Sequence, residues 1–458
     1  MSITIANQRF LVLGAGVTGS AVARSLKKRG GMVTIADDNA TDAVKPDLVE
    51  LDTFDSVVIS PGWRQDHPLV VKALASKVNI LNEIDLAWQI RSEIAPAQKW
   101  LALTGTNGKT TTVEMTAKIL QTAGLHAVAC GNVGDTVIDA VDREEPFDYL
   151  VLELSSFQLH WAQQAEFVSA AILNIADDHL DWHGDFDAYA DAKFSILDRS
   201  NVAVLNADDG EVVKRSHSFE GRKVFFSLET PAPGEVGVVE NLLVDRAFVE
   251  DPQQASMICE LADVKPTIPH NVSNALAAAA LARSIDISYD NIRKALQEFR
   301  PGRHRIETVF ESDSIAWVDD SKATNPHAAA ASLMSHLSVV WIAGGLAKGA
   351  DMSAMIQRCK GRIKVAILIG SDRQLIADAL TQHAPEISHI IVDAPSDYVR
   401  GGDSNGLMEA VVIAALAHVA PGDTVLMAPA CASMDQFISY ADRGDRFAAA
   451  VKKLVAHE

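Results

Sequence analysis

The sequence has few cysteines, and it lacks both long hydrophobic runs and a secretory leader. Its four cysteines are scattered and form no Cys-x-x-Cys pair, which indicates a reduced compartment. The most apolar segments, Ala275–Ala282 and Ala410–Ala417, are well short of the ~20 residues that span a bilayer. The N-terminus has no basic stretch followed by a long apolar segment, so it predicts no signal peptide. These absences predict a cytoplasmic protein that does not enter a membrane.

The sequence also has fewer basic than acidic residues. The 458 residues include 40 lysines and arginines against 60 aspartates and glutamates, giving a formal net charge of −20. Such a charge disfavours non-specific binding to nucleic acid or anionic membranes, although local basic loops can still hold phosphorylated substrates. The composition, 48% hydrophobic and 22% charged, is that of a globular protein. At roughly 100–200 residues per domain, the length predicts about two to four domains.

Residues 102–112 form the most informative segment. A strand predicted at Trp100–Leu103 leads into a tight turn with two glycines, and Lys109 then opens a helix. Glycines let backbone N–H groups surround a phosphate, the helix start favours negative charge, and the lysine adds a cation. Thr110 stands where such loops hold Mg²⁺. A glycine of the general pattern is replaced by Leu103, so this is a shorter variant, and an ordinary glycine-rich turn is the alternative. We predict that ATP or a close relative binds Gly105, Thr106, Asn107, Gly108, Lys109, Thr110 and Thr111.

A second glycine-rich turn lies near the N-terminus. Its Gly-x-Gly-x-x-Gly pattern begins at Gly14 and is followed some twenty residues later by Asp37. The pattern fits a dinucleotide, but it equally fits the diphosphate of a nucleotide-sugar, because both require a pyrophosphate at a helix N-terminus. A further strand closes on Ser60. The candidate substrate residues of this region are Gly14, Gly16, Thr18, Gly19, Asp37, Ser60 and Gly62.

Two segments after the ATP loop carry candidate metal ligands. Glu153 ends a predicted strand, where a carboxylate beside a phosphate loop is well placed to hold Mg²⁺. Residues 174–184 cluster Asp178, His179, Asp181 and His183, which suggests a nearby metal or phosphate oxygen. The alternatives are a polar loop with capping aspartates and, for this segment alone, a metal-dependent hydrolase.

Three polar loops in the last third follow predicted strands. They span residues 319–326, 344–351 and 429–437, and the second contains Lys348. Open α/β sheets bind ligands at the carboxyl ends of their strands. Each loop alone could be a plain connection, but together they predict a site for a small charged substrate.

Strand and helix patterns alternate along the whole chain, which predicts an α/β fold with mostly parallel sheets. They predict strands at Met32–Ala36 and Ala170–Ile175, an alanine-rich helix at Pro269–Arg283, and β-rich or irregular connecting structure over residues 211–263. A polar stretch containing Pro96 and a turn-rich basic stretch at Arg300–Arg305 mark two domain boundaries. The predicted domains are residues 1–96, 97–302 and 303–458.

Taken together, the motifs resemble those of the Mur ligases, the ATP-dependent amino-acid ligases that build the muramyl peptide of peptidoglycan. The resemblance covers the whole chain and rests on Gly-Thr-Asn-Gly-Lys-Thr, Glu-Leu-Ser-Ser-Phe-Gln, Asp-His-Leu-Asp-x-His, His-Asn with a following Asn-Ala-Leu-Ala, and Gly-Arg-His-Arg. It implies a Rossmann-like N-terminal domain for the UDP-muramoyl substrate, a P-loop ATPase-like central domain, and a Rossmann-like C-terminal domain for the amino acid. We expect a monomer that binds only small molecules.

Within the family, two C-terminal motifs look like those of the members that add D-glutamate to UDP-N-acetylmuramoyl-L-alanine. These motifs are Asp-Ser-Lys-Ala-Thr-Asn at Asp320 and Pro-Ala-Cys-Ala-Ser-Met-Asp-Gln-Phe at Pro429. The Asp-Asn-Pro-Arg motif of the members that add a diamino acid is absent. Folylpolyglutamate synthetase shares the ATP loop but not the C-terminal motifs. The implied reaction phosphorylates the substrate carboxylate to an acyl phosphate, which the amine of glutamate then attacks.

The resemblance also implies three catalytic residues and two Mg²⁺ sites. Lys109 would bind the ATP phosphates, and Thr110 with Glu153 would hold one Mg²⁺. His179 and a carbamylated Lys193 would hold the second. A free lysine, with a pKa of ~10.4, is cationic and repels Mg²⁺, whereas CO₂ addition turns it into an anionic oxygen ligand. Without the resemblance, Lys193 would be interpreted as a solvated surface charge.

Further roles follow from the same resemblance. Three residues would contact the nucleotide: Asn274, Arg305 and Asp320. Two would face the muramoyl substrate: Asn132 and His179. Three would bind the glutamate carboxylates: Thr324, Lys348 and Ser433. Tyr440 stands where better-known members carry Phe, and either ring can pack on an aliphatic substrate stem.

Two other classes of protein remain as alternatives. A nicotinamide-dependent oxidoreductase would explain the N-terminal glycines, but it leaves Lys109, Glu153 and the later loops without a role. A nucleotide-binding switch module would explain the phosphate loop, but not the three-domain layout.

Overall fold

Short apolar runs near the N-terminus form a four-stranded sheet in the computed structural model, which describes residues 4–251, 253–402 and 405–456. All its strands are parallel, in the order β2-β1-β3-β4. The strands are β1 (Arg9–Leu13), β2 (Met32–Ala36), β3 (Ser56–Ile59) and β4 (Asn79–Asn82). The helices are α1 (Val17–Lys28), α2 (Pro68–Ala75) and α3 (Glu83–Ile94). The central strands β1 and β3 are continuously apolar because helices cover both faces of a parallel sheet.

A nine-stranded sheet follows, in the order β13-β12-β11-β10-β9-β8-β5-β7-β6. Its pairs are parallel except for β11 with β12 and β12 with β13. The strands are β5 (Lys99–Thr104), β6 (Ala127–Gly131), β7 (Tyr149–Glu153), β8 (Phe167–Ile172), β9 (Ser200–Asn206), β10 (Arg222–Phe226), β11 (Glu235–Val239), β12 (Leu242–Asp245) and β13 (Ser256–Glu260). The helices are α4 (Lys109–Thr122), α5 (Val137–Val141), α6 (Ser156–Trp161), α7 (Leu180–His183), α8 (Phe186–Phe194), α9 (Gly210–Arg215), α10 (Pro269–Arg283) and α11 (Tyr289–Glu298).

A six-stranded sheet completes the chain, in the order β14-β15-β19-β16-β17-β18. Only the edge pair β14 with β15 is antiparallel among these described strands. The strands are β14 (Glu307–Ser312), β15 (Ile315–Asp319), β16 (Val339–Gly344), β17 (Ile363–Ile369), β18 (Ser388–Ile391) and β19 (Thr424–Met427). The helices are α12 (Pro326–Met334), α13 (Ser353–Cys359), α14 (Arg373–His383), α15 (Gly406–Leu416) and α16 (Tyr440–Leu454).

The chain divides into two compact units, Met1–Phe299 and Arg300–Glu458. The first unit contains two separate sheets and the second contains one, so the structure confirms an α/β fold with mostly parallel sheets. The boundary predicted between residues 96 and 97 falls inside the first unit and stays a prediction. No helix among the described residues combines the length and apolar character that a membrane span requires.

One predicted strand differs in its bounds from the structure. The strand expected at Ala170–Ile175 is Phe167–Ile172, because the chain leaves the sheet early and the carbonyl of Asn174 accepts the Thr106 N–H at 2.9 Å. Residues 211–263, expected as β-rich or irregular connecting structure, are β-rich, because they include four strands that extend the nine-stranded sheet.

Candidate active site

The phosphate loop lies between β5 and α4, as predicted. Gly108 caps α4 with a φ of +83°, and a Cβ there would lie 2.4 Å from Oδ1 of Asn274. Both the left-handed backbone and the close side chain therefore require glycine. Asn274, on α10, was predicted from the resemblance to contact the nucleotide, and the structure places it directly beside the loop.

Asn174 holds the loop in shape. Its Oδ1 accepts the Asn107 N–H at 2.7 Å, and its Nδ2 donates to the Asn107 carbonyl at 3.0 Å. The hydroxyl of Thr106 lies 2.9 Å from that of Tyr189. Neither Asn174 nor Tyr189 was predicted as a site residue. The position of Asn174 just after an apolar strand is the signal that could have found it.

Two lysines converge on one carbonyl of the loop. Nζ of Lys109 and Nζ of Lys193 each donate to the Gly105 carbonyl at 2.8 Å. Lys193 is only 2% exposed, so the interpretation of this helix lysine as a surface charge is wrong. Burial, reinforced by the charge of Lys109, holds the pKa of the Lys193 amine well below its ordinary value. Burial therefore favours the neutral form of the Lys193 amine.

Glu153 ends β7, the strand next to β5, and is 2% exposed. Its Oε1 accepts a hydrogen bond from Nδ2 of Asn132 at 2.8 Å. Its Oε2 is buried and has no hydrogen-bond partner. A buried carboxylate oxygen without a donor is costly unless a cation binds it. This oxygen and the half-buried Thr110 at the start of α4 fit a Mg²⁺ site with hard oxygen ligands.

The residues of the predicted aspartate-histidine cluster do not converge on one point. His179 has a φ of +54° and is part-exposed, with Nε2 3.6 Å from Oδ2 of Asp178. His183 is buried, and its Nε2 lies 2.9 Å from Oγ of Ser156. Burial lowers the pKa of His183 to about 4, so the ring is neutral. Among the described residues, three metal-binding side chains meet instead at His304, Glu307 and Asp319. The hydrolase interpretation therefore gains no support.

The N-terminal glycine-rich turn is closely packed. Gly14 has a φ of +104°, and a Cβ on Gly19 would lie 1.8 Å from the Gly14 carbonyl oxygen. A Cβ on Gly14 would lie 3.0 Å from Oγ of Ser60, so Ser60 borders the turn. Added Cβ atoms on Gly16 and Gly62 would meet nothing within 4 Å. The turn thus combines a tight backbone with open space for a ligand.

Asp37 braces this turn from the end of β2. Its Oδ2 accepts the Ala15 N–H at 2.8 Å, and its Oδ1 accepts the N–H groups of Asn39 and Ala40. These backbone hydrogen bonds lower the pKa of Asp37. The carboxylate therefore fixes the conformation of the turn as well as being a candidate substrate contact.

In the second unit, Arg443 joins the loops at the carboxyl ends of three strands. This fully buried residue of α16 donates to Oγ of Ser321 at 2.9 Å and to the carbonyls of Cys431 and Gly344. Burial lowers the pKa of its guanidinium to about 10. Sequence reasoning missed Arg443 because it lies outside the three polar loops that it connects. Those loops carry the predicted glutamate-binding residues Thr324, Lys348 and Ser433.

The predicted residues of the second unit differ in burial. Asp320 is 8% exposed, accepts the Ile306 N–H at 3.3 Å, and has a pKa that burial raises to about 7. Arg305 and Tyr440 are half-buried. The ring of Tyr440, the first residue of α16, lies 3.9 Å from Nζ of Lys322. The hydroxyl-bearing ring thus takes part in a cation–π contact.

Comparison with known proteins identifies the family of this chain. The family model described as Mur ligase middle domain matches residues 103–282, and the one described as Mur ligase, glutamate ligase domain matches residues 304–431. UDP-N-acetylmuramoylalanine--D-glutamate ligase of Streptomyces avermitilis is 45% identical over 97% of this chain and 98% of its own. The enzyme of the same name from Thermobifida fusca is 45% identical over 98% of both chains.

Solved structures show the same fold. UDP-N-acetylmuramate-alanine ligase MurC from Thermotoga maritima superposes with a TM-score of 0.58 at 19% identity, covering 99% of this chain and 100% of that one. MurF ligase from the same organism, in complex with ADP, superposes with a TM-score of 0.58 at 17% identity, covering 98% and 96%. The chain therefore belongs to the Mur ligase family, in the group of the UDP-N-acetylmuramoylalanine--D-glutamate ligases.

Proposed function

We propose that this enzyme uses ATP to join D-glutamate to UDP-N-acetylmuramoyl-L-alanine, forming ADP and phosphate in the synthesis of the peptidoglycan precursor. The observation that carries the proposal is the phosphate loop, with two lysines on the Gly105 carbonyl and an unpartnered oxygen of Glu153 on the neighbouring strand. The full-length identity to D-glutamate ligases supports the choice of acceptor. The acidic composition and scattered cysteines support a cytoplasmic enzyme for small molecules, which we expect to be a monomer.

The reaction requires an activated carboxylate. A carboxylate oxygen of the L-alanyl substrate attacks the γ-phosphorus of ATP, and ADP leaves, which yields an acyl phosphate. The amine of glutamate then attacks the acyl carbon and loses a proton, and phosphate leaves. No protein nucleophile is needed, so the chain contributes positioning and charge neutralisation. In this role Lys109 and the N–H groups of residues 105–111 hold the ATP phosphates.

We assign one Mg²⁺ to Thr110 and Glu153 and a second to His179 and a carbamylated Lys193. Bound Mg²⁺ neutralises phosphate charge and orients the reacting oxygens. The buried position of Lys193 supports carbamylation, since CO₂ adds to a neutral amine and burial favours the neutral form. Asn132 holds one oxygen of Glu153 and so leaves the other directed to a cation.

The remaining contacts follow the same assignment. The N-terminal turn would bind the diphosphate of the UDP-sugar through Gly14, Gly16, Thr18, Gly19, Ser60 and Gly62. Asn274, Arg305 and Asp320 would contact the nucleotide. In the second unit, Thr324, Lys348 and Ser433 would bind the glutamate carboxylates, and Tyr440 would pack on its stem. Asp37 would also border the UDP-sugar. A nicotinamide cofactor is less well supported, because it would leave Lys109, Glu153 and the loops of the second unit without a role.

Phosphate release tests the proposal. The purified chain is given ATP, Mg²⁺ and UDP-N-acetylmuramoyl-L-alanine, and then D-glutamate, L-glutamate, L-lysine or diaminopimelate in separate reactions. Release that depends on D-glutamate alone is expected. Release with another amino acid would show that the enzyme catalyses a different step of the same pathway. Absence of any amino-acid-dependent release would refute the ligase assignment.

A further inference from the structure

Glu83 is a buried carboxylate to which the proposed reaction assigns no role. It is the first residue of α3, directly after the four-stranded sheet, and it is 2% exposed. Its Oε1 accepts the N–H of Ile138 at 2.9 Å. Ile138 lies in the first turn of α5, a helix that follows β6 of the nine-stranded sheet. A side chain at the edge of the four-stranded sheet therefore contacts the start of a helix next to the nine-stranded sheet. An acidic group stabilises a helix start because the free N–H groups there need acceptors.

The helix that Glu83 contacts follows a segment that contacts Glu153, the proposed Mg²⁺ ligand. This segment, from β6 to α5, contains Asn132, whose N–H donates to the Glu153 carbonyl at 2.9 Å and whose Nδ2 donates to Glu153 Oε1 at 2.8 Å. A Cβ on Gly131 would lie 2.6 Å from the Glu153 carbonyl oxygen. The segment is therefore in close contact with Glu153, and residues 133–136 connect it to the start of α5.

Other contacts of α5 act beside that of Glu83. Thr136 caps the helix by accepting the Asp139 N–H at 3.2 Å, and the apolar side chains of α5 are fully buried. Arg24 pairs with Asp139, but their side chains are 64% and 36% exposed, and such pairs contribute roughly 0–1 kcal/mol. A helix of one turn has little stability of its own, so its position depends on these tertiary contacts. Among the described side chains, Glu83 is the one on α3 that accepts an N–H of the first turn.

We propose that Glu83 is a positioning residue for the magnesium site: by holding the start of α5, it fixes the Asn132 amide that orients Glu153. The inference rests on the proposed role of Glu153 as a Mg²⁺ ligand. Loss of a group hydrogen-bonded to a metal ligand, as Asn132 is to Glu153, typically weakens metal binding about 10- to 100-fold, and we expect displacement of that amide to act within this range. The acceptor function requires an oxygen at the right distance and does not require a negative charge.

Three substitutions separate these requirements. Glu83→Ala removes the acceptor, Glu83→Asp keeps the charge but shortens the side chain, and Glu83→Gln keeps an acceptor at the original distance without the charge. Glu93→Ala, at an exposed position of the same helix, is the matched control. Binding of Mn²⁺ is titrated by electron paramagnetic resonance in the presence of ADP, and thermal unfolding reports whether each variant folds.

We expect Glu83→Ala and Glu83→Asp to weaken Mn²⁺ binding by about tenfold or more, while Glu83→Gln and Glu93→Ala bind as the parent does. In activity assays, Glu83→Ala and Glu83→Asp should need a higher Mg²⁺ concentration for half-maximal rate, while their KM for glutamate stays unchanged. If Glu83→Ala does not fold, the contrast between Asp and Gln decides. Parental Mn²⁺ binding in a folded Asp variant, weak binding in the Gln variant, or no Mn²⁺ binding by the parent would overturn the inference. If the variants differ in Mn²⁺ binding as expected but the parent releases no glutamate-dependent phosphate, only the proposed function is refuted.

Discussion

Gly108 and Gly124 lie at opposite ends of α4 with nearly the same backbone torsion, φ of +83° and +84°. A Cβ on Gly124 would meet nothing within 4 Å, whereas one on Gly108 would meet Asn274 at 2.4 Å. Each substitution to Ala should cost about 1–2 kcal/mol of unfolding free energy from backbone strain. Only Gly108→Ala should also weaken ATP binding, by about tenfold or more, because the loop must shift. Calorimetric titration with ATP checks this, and equal affinities in the two variants would contradict it.

Lys193 shows what a residue-level interpretation cannot predict. Its neighbours in sequence are those of an ordinary surface helix, and its burial depends on the loop that α8 packs against. We expect Lys193→Ala to lose activity by about two orders of magnitude, because the second Mg²⁺ would lose its carbamate ligand. Acetate or propionate should restore part of it by replacing the carbamate oxygens. The rate of phosphate release is the measurement, and Lys214→Ala, whose side chain is 72% exposed, is the control. Parental activity in Lys193→Ala would refute the assignment.

Lys348 lies in the loop after β16 with a φ of +52°. A charge-assisted hydrogen bond to a carboxylate contributes about 1.5–3 kcal/mol, so Lys348→Ala should raise the KM for glutamate by about 10- to 150-fold. The KM for ATP should change far less. The exposed Lys452 of α16 provides the control. An unchanged KM for glutamate would show that Lys348 does not bind the glutamate carboxylates.

At the scale of secondary structure, the first turn of α3 also contacts the segment that connects α6 to β8 of the nine-stranded sheet. Asp85 is 2% exposed and accepts N–H groups from Gln163, Gln164 and Ala165 at 2.8, 2.8 and 3.1 Å. Asp85→Ala leaves three backbone donors without an acceptor, so it should lower the unfolding free energy by about 3–5 kcal/mol. Urea unfolding followed by tryptophan fluorescence measures the loss. Asp66→Ala, at an exposed position of the same unit, should change it by less than about 0.5 kcal/mol.

Elements with strong local signals could be predicted closely. The strand Met32–Ala36 and the helix Pro269–Arg283 match their predicted bounds, because a glycine pair precedes the strand, and a proline opens the alanine-rich helix. The strand at Phe167–Ile172 was displaced because its end is set by contacts with the phosphate loop. Asn174 could have been found from its position just after an apolar strand, but Tyr189 and Arg443 were missed for a similar reason. Their roles depend on partners far away in sequence, which no local pattern indicates.

For the whole chain, the dependence of stability on pH reflects ionisable groups whose pKa values are shifted in opposite directions. Backbone hydrogen bonds lower the pKa of Asp37, so its contribution to stability is present above its ordinary pKa of 3.8 and is lost as the pH falls further. Burial raises the pKa of Glu83 from 4.5 to about 7 and that of Asp320 from 3.8 to about 7. These two groups destabilise the folded chain as the pH rises. Burial lowers the pKa of His183 from 6.5 to about 4, so this ring has the opposite effect and costs stability as the pH falls through that range.

The contribution of Glu83 can be isolated. Between pH 4.5 and about 7, the folded state keeps a proton that the unfolded state releases, so the unfolding free energy falls as the pH rises, and outside this range the effect of Glu83 is constant. Glu83→Gln removes this proton equilibrium. The stability of Glu83→Gln relative to the parent should therefore increase by about 3 kcal/mol between pH 4.5 and pH 8. Urea unfolding across this range measures the difference, with Glu93→Gln expected to give a flat line. A flat difference for Glu83→Gln as well would mean that its carboxyl titrates normally, and the pH dependence of the chain would then need another origin.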